Sequence, residues 1–180
     1  MFESQLLTVD EIVALWTEQL DKLQILFPHL QVVFTISPVR HWKDGAHGNQ
    51  VSKSLLFIAV DELLKHKAGP KYFPAYELVM DDLRDYRFYN DDMLHPSGIA
   101  INYIWEAFTR CYMDSKTINT WNEVVKITKA CNHRFNNDSG IKRIKFAERI
   151  LGKIYEIENK VPGIDISSEK SYFLNLLKRQ

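Results

Sequence analysis

The segment Asn90 to Ser97, which reads NDDMLHPS, places an aspartate three residues before a histidine. At this spacing the carboxylate of Asp92 can accept the Nδ1 proton of His95 and leave Nε2 free, which makes the ring a general base for a hydroxyl nucleophile. A histidine that only caps a loop would show the same pattern. The position at a predicted strand-to-helix turn favours catalysis, because ligand sites of α/β proteins lie outside the carboxyl ends of strands.

A second polar segment, Ser37 to Asn49, follows the carboxyl end of the first predicted strand. Polar loops at that end of a sheet usually contact ligand. We therefore expect Ser37, Arg40, His41 and Asn49 to bind the substrate.

The same segment contains residues that could ligate a metal ion, namely His41, Asp44 and His47. Their spacing is not that of a helical zinc motif, and no second cluster supports them. Gly45 and Gly48 match no phosphate-binding loop. The sequence therefore predicts neither a metal site nor another cofactor.

A nucleophile to accompany the predicted base is not evident. Neither G-x-S-x-G nor G-D-S occurs, and Ser37, Ser52 and Ser54 lack the strand–turn–helix context of a nucleophile elbow. A Ser–His hydrolase requires that hydroxyl and an oxyanion hole as well as the base. The residues alone therefore predict only a poised aspartate–histidine pair.

The elements that must position these residues alternate between helix and strand. The first predicted helix is capped by Thr8 and Glu11 and stops before Pro28. It is followed by a strand at 31–36, a helix at 51–67, a strand at 71–76, a helix at 78–83 and a helix after Pro96. The residues of that last helix predicted to face inward are Ile101, Ile104, Trp105 and Phe108. This order is typical of a doubly wound α/β sheet. Because two strands are too few for such a sheet to stand alone, we expect further strands from elsewhere or a chain that is part of a domain.

The character of the chain changes after about residue 116. Apolar spacing predicts helices at 117–132 and 140–160, and Ser168 is predicted to cap a last short helix that ends near Leu177. We therefore predict an α/β part at 1–115 and an α-helical appendage at 116–180. The appendage shows no catalytic pattern, and packing or dimerisation is its expected role.

Charge and hydropathy argue against two classes of partner. Lys plus Arg and Asp plus Glu number 23 each, so the formal net charge is zero and no basic stripe for nucleic acid is present. No apolar run approaches the ~20 residues that a membrane span needs, and the first residues do not resemble an export signal. These features predict a soluble, cytoplasmic chain without nucleic acid or membrane partners.

Several longer motifs resemble the GSCFA-domain family, densely from Leu6 to Phe108 and more loosely thereafter. They are FTISPVRHWKDG at 34–45, NQVSKS at 49–54, YFPAYE at 72–77, DxLRDYRFY at 81–89 and DDMLHPS at 91–97. The resemblance implies an SGNH-type (GDSL-like) hydrolase with a flavodoxin-like three-layer α/β fold. The last motif of that superfamily is a DxxH that supplies the catalytic Asp and His, here Asp92 and His95.

Two family segments do not occur in this sequence. One is the Gly-Ser-Cys-Phe-Ala stretch, where the nucleophilic serine is expected, and the other is a Gly-Thr-Ala-Trp segment expected near the oxyanion hole. We therefore expect a partial, helix-rich, flavodoxin-like sandwich, corresponding to the C-terminal part of the family domain, with an α-helical tail.

The resemblance implies part of a serine esterase that acts on a small-molecule or carbohydrate ester and is inactive alone. A complementing N-terminal segment would then supply the nucleophile. The alternative is a non-catalytic, self-associating binding module on a hydrolase scaffold, which would form a homo-oligomer.

Overall fold

In a computed structural model of the protein, which describes residues 5–133 and 140–178, the chain separates into two compact units, Met1–Phe108 and Thr109–Gln180. The first unit contains α1 (Val9–Leu26), β1 (Val33–Phe34), α2 (Gly45–Leu63), β2 (Lys71–Tyr72), the short α3 (Ala75–Glu77) and most of α4 (Gly98–Tyr112). The second contains α5 (Ser115–Cys131), α6 (Gly140–Lys160) and α7 (Ser167–Lys178).

The first helix forms as its capping signals predict. The Thr8 backbone N–H donates to Glu11 Oε2 at 2.8 Å, and the Glu11 N–H donates to Thr8 Oγ1 at 3.3 Å, which satisfies two of the unpaired donors at the helix start. Helix α1 ends at Leu26, before Pro28, and packs against α2 with Leu20 fully buried.

The two strands pair in parallel, with Val33 opposite Lys71 and Phe34 opposite Tyr72. Both predicted strand positions are confirmed, but each strand is shorter than predicted. Pro74 explains the early end of β2, because a proline has no N–H to continue the ladder and α3 begins at the next residue. The mixed α/β class is thus confirmed in its coarse form, as a helix-rich unit with a small parallel sheet.

The predicted loop at 37–49 was wrong at its carboxyl end. A 3₁₀ turn at Trp42–Asp44 leads into α2, which begins at Gly45 rather than Val51. Gly45 has φ = +71°, a left-handed conformation that a glycine adopts without strain and that redirects the chain into the helix. The first two turns of α2 are mostly polar and exposed, so their composition is typical of a loop although their backbone is helical.

The residues between β2 and α4 form a series of short turns. After α3 the chain makes a π-helical turn at Leu78–Asp82 and a 3₁₀ turn at Tyr86–Phe88. Val79 and Leu83 are buried against Ala100 of α4, which holds the whole connection on that helix. The predicted helix at 78–83 is therefore a π-helical turn, and the helix after Pro96 is confirmed.

The described residues of the second unit contain the end of α4 followed by α5, α6 and α7. Asp114 caps α5 by accepting from the Thr117 N–H at 2.6 Å. The cap predicted at Ser168 was wrong by a few residues, because α7 begins at Ser167 and the Asp165 carboxylate accepts from the Ser167 N–H at 3.2 Å. The core of this unit contains Ile127, Ala147, Ile150, Leu151, Ile154, Ile157, Ile166 and Phe173. Over residues 5–133 and 140–178, no helix combines the length and apolar character that a membrane crossing requires.

Candidate functional site

The Asp92 carboxylate contacts its neighbours through both oxygens. Oδ2 lies 2.6 Å from His95 Nδ1. Oδ1 accepts from the backbone N–H of Leu94 at 2.8 Å and from that of His95 at 2.9 Å. One carboxylate therefore fixes both the main chain and the imidazole ring of His95.

The loop that contains the pair is closed by backbone hydrogen bonds. The Asn90 N–H donates to the His95 carbonyl at 2.8 Å, and the Ser97 N–H donates to the Phe88 carbonyl at 2.7 Å. Between these bonds, Met93 has φ = +58°, an uncommon left-handed conformation for a residue with a side chain. The strained backbone at Met93 turns the chain tightly enough for Asp92 and His95 to meet.

Electrostatics set the tautomer of the histidine. The backbone N–H groups of His95 and Leu94 are the largest cause that lowers the pKa of Asp92 to about 2, and the His95 side chain adds to the effect. Asp92 is therefore ionised at neutral pH and can only accept, so Nδ1 of His95 carries the proton. In the neutral ring Nε2 then has no proton and can act as a hydrogen-bond acceptor.

His95 lies in the wall of an open groove of about 740 Å³. The groove is lined by Val33, Thr35, Pro38, Val39, Phe73, Ala75, Asn90, His95, Pro96, Ile101, Ile104, Trp105 and Phe108. The lining is apolar apart from Thr35, Asn90 and His95, and Thr35 carries the single side-chain hydroxyl among these residues. His95 thus faces an apolar space rather than a charged one.

The predicted binding residue Ser37 does not line this groove, although it directly precedes the lining residues Pro38 and Val39. Its hydroxyl accepts from the Val39 N–H at 3.2 Å, and its carbonyl accepts from the ammonium of Lys53. Lys53 is buried in α2, and burial lowers the pKa of its ammonium group. Lys53, which the sequence analysis did not identify, therefore anchors this segment to α2.

Arg40 is brought next to the Asp92–His95 loop. Its guanidinium lies 5.1 Å from the centre of the Tyr89 ring, in a cation–π contact, and Tyr89 pairs with Pro96 in an antiparallel bridge. Arg40 also borders two smaller cavities of about 230 and 250 Å³, outside the groove lining.

The other two predicted binding residues contact each other. The Asn49 side chain accepts from the His41 backbone N–H at 2.8 Å, and His41 Nδ1 lies 3.2 Å from Asp44 Oδ2. Neither side chain lines the groove that contains His95. Within the described residues no group of three or more His, Cys, Asp or Glu side chains is arranged to hold a metal ion, so His47 does not complete a trio with His41 and Asp44.

The helix residues predicted to face inward have a second role. Ile101, Ile104, Trp105 and Phe108 all line the groove, and Ile101 remains 55% exposed. The prediction that they face inward was wrong for Ile101, and Ile104, Trp105 and Phe108 are only half-buried. The sequence could not show that part of this face borders open space, because that depends on what packs opposite it.

Comparison with known proteins agrees with the motifs. The model described as "GSCFA family" matches residues 1–108, and the model described as "GSCFA domain protein, C-terminal domain" matches residues 124–179. Neither the curated proteins nor the solved structures include a match to the chain. Since the first family model covers more than half of its residues, the chain belongs to the GSCFA family.

Proposed function

We propose that the first unit supplies the base half of a serine-type ester hydrolase, with His95 as the general base and Asp92 as the residue that orients it. The 2.6 Å contact between Asp92 Oδ2 and His95 Nδ1, with Oδ1 held by two backbone N–H groups, is the observation that carries this proposal. It keeps the ring in one tautomer and one orientation before substrate arrives.

In the proposed reaction, His95 Nε2 accepts the proton of a serine hydroxyl as its oxygen attacks the ester carbonyl. The protonated ring then gives that proton to the leaving alkoxide, and water repeats the sequence to release the acid. The ionised Asp92 stabilises the imidazolium that forms at each step without taking a proton itself. Ser37, Arg40, His41 and Asn49 are proposed to bind the rest of the substrate, a small-molecule or carbohydrate ester.

The nucleophile is proposed to come from a complementing segment with the Gly-Ser-Cys-Phe-Ala stretch, which this sequence does not contain. Such a segment would extend the sheet beside β1 towards the flavodoxin-like SGNH sandwich. Among the described residues, no strand pairs with the edge of β1 that faces away from β2. That edge could therefore pair with a strand of the complementing segment, which supports this arrangement. The chain by itself is then expected to be inactive.

The test is to co-express this chain with a polypeptide carrying the Gly-Ser-Cys-Phe-Ala region of a family member. The purified pair is then assayed with p-nitrophenyl acetate and a fluorophosphonate serine label. We expect turnover and labelling from the pair and neither from the chain alone. The change His95→Ala should lower turnover by about 10²- to 10⁴-fold, which is the usual contribution of a general base.

The matched control is His29→Ala, because His29 is exposed and outside the groove lining. It should retain the activity of the unaltered pair. Equal activity of the His95→Ala and His29→Ala pairs would show that His95 is not the base. Turnover by the chain alone would show that no outside nucleophile is required, and Thr35→Val would then test the hydroxyl in the groove.

Exposed apolar side chains at the end of α1 favour the second candidate function, a non-catalytic module that self-associates. Ile25, Leu26 and Phe27 are 79%, 68% and 58% exposed. This function predicts a concentration-dependent dimer in sedimentation that Leu26→Lys weakens, together with unchanged function in His95→Ala. A monomer at all concentrations would exclude it.

A further inference from the structure

We propose that the groove beside His95 binds the hydrocarbon chain of an acyl ester, so that the substrate is an ester of an aliphatic acid that carries no charged group. This inference rests on the proposed ester hydrolysis for its orientation. The scissile carbonyl would lie at His95 and the chain would extend along the apolar wall of α4.

The chemistry of the lining selects an apolar ligand. Aromatic rings form a continuous surface in the groove, with Trp105 stacked on Phe108 at 5.8 Å between ring centres and Phe73 edge-on to Phe108 at 5.2 Å. No aspartate, glutamate, lysine or arginine is among the lining residues. Because a charged group buried without a partner is costly, a succinyl or aminoacyl group does not fit this surface.

Two of the three polar side chains of the groove define the position of the ester, and the third, Thr35, directly follows β1. Asn90 and His95 belong to the closed Phe88–Ser97 loop, whereas Ile101, Ile104 and Trp105 belong to α4. A ligand with a polar head and an apolar tail matches this division. Asn90 can donate an amide hydrogen bond to the carbonyl oxygen while His95 faces the reacting atoms.

The size and exposure of the groove agree with such a ligand. Its volume of about 740 Å³ lies within the range of roughly 300–1,000 Å³ for small-molecule sites. Ile101 is 55% exposed at the groove, so an acyl chain would remove apolar surface from water that the protein itself leaves uncovered. Each methylene that the groove covers should raise affinity by up to about fourfold.

Binding can be measured without any catalysis. The experiment titrates the chain with methyl 12-bromododecanoate and follows tryptophan fluorescence, because bromine quenches an indole that it contacts and Trp105 lines the groove. Unlabelled methyl esters of increasing acyl length then compete for the site. We expect saturable quenching, with competition that strengthens with acyl length until the chain exceeds the groove.

Two isoleucines of α4 give a matched pair of variants. Ile101 lines the groove, whereas Ile99, which is 68% exposed on the same helix, does not. We expect Ile101→Glu to weaken binding by roughly tenfold or more, because the new carboxylate would lie against the hydrocarbon chain. Ile99→Glu should bind as the unaltered chain does, and since both sites are exposed, both variants are expected to fold.

The outcomes separate this inference from the proposed function. If Ile101→Glu abolishes the quenching, the acyl groove is supported. If the activity of the complemented protein also does not depend on His95, the catalytic proposal is rejected while the groove stands. The opposite outcome is turnover that depends on His95 but does not favour longer acyl chains, with no difference between Ile101→Glu and Ile99→Glu. It would reject the acyl groove and support the proposed catalytic role of His95. The acyl site is also rejected if the methyl esters neither quench nor compete, or if a dimer of the chain buries Trp105.

Discussion

The first unit contains two aspartate–histidine pairs at the same sequence spacing, His41 with Asp44 and Asp92 with His95, and they differ in how the carboxylate is held. The atoms of the first pair are 3.2 Å apart and those of the second 2.6 Å. Asp92 also accepts two backbone N–H groups. Asp44 precedes α2 without a side-chain cap bond and lies on the 3₁₀ turn.

The difference shows that proximity of the two residue types does not by itself fix the orientation of the carboxylate. The backbone N–H groups of Leu94 and His95 hold the Asp92 carboxylate in one orientation. The hydrogen bond from the Asn90 N–H to the His95 carbonyl closes the loop around it. When a proton is transferred, the side chains of a pair held in this way need to move little, because they already have the required orientation. The His41–Asp44 pair lacks that support.

The largest expected effect comes from removing the charge of each carboxylate in turn. In the complemented protein, Asp92→Asn should lower ester turnover by about 10²- to 10⁴-fold, because the amide no longer stabilises the imidazolium and favours no single tautomer. Asp44→Asn should change turnover by about twofold at most if the second pair only supports binding. Steady-state kinetics on both variants measure the change in turnover. Equal losses of turnover would show that the two pairs do not differ in function.

A smaller effect is expected from the backbone that brings Asp92 and His95 together. Met93→Val should lower the free energy of unfolding by about 1–2 kcal/mol, because a β-branched residue is strained at positive φ. Met93→Gly should cost less than about 1 kcal/mol, since a glycine adopts this conformation freely but also makes the unfolded chain more flexible. Urea unfolding of both variants gives the comparison, and equal stabilities would mean that Met93 does not hold this conformation in solution.

The smallest expected effect concerns the titration of Asp92. Its pKa of about 2 in the folded protein lies below the ordinary value of an unfolded aspartate near ~3.9. Its contribution to stability is therefore fully present above about pH 4 and is lost as the pH falls towards 2. Carboxyl carbon chemical shifts in NMR should show this midpoint.

In His95→Ala the pKa of Asp92 should rise only in part, because the backbone N–H groups of residues 94 and 95 remain and are its main cause. If the pKa of Asp92 returned to its ordinary value, the imidazole rather than the backbone N–H groups would be the main cause of the lowered pKa.

Local signals in the sequence predicted much of the fold. The Thr8–Glu11 capping box, the apolar spacing of α6 and the Pro96-Ser97 start of α4 all act within one or two helical turns, and each element begins or ends close to its predicted position. The errors lie where local composition and tertiary packing disagree. The polar start of α2 was predicted as a loop, and the strands were predicted too long.

The candidate site divides in the same way. Asp92 and His95 were identified from their spacing, because three residues of chain can close only a small ring and the contact is local. The cation–π contact between Arg40 and Tyr89, and the Lys53 bond to the Ser37 carbonyl, join residues far apart in sequence. No local pattern indicates such pairs.

The sequence by itself therefore determined the family, the helix-rich α/β character and the aspartate–histidine pair, since these depend on composition, on periodicity and on contacts within a few residues. The tertiary structure alone decided that His95 faces an apolar groove beside α4, that His41 and Asn49 bond to each other away from that groove, and that Lys53 is buried beneath Ser37. Those features depend on which surfaces meet when β1, α2 and α4 pack, and packing brings together residues that the chain keeps apart.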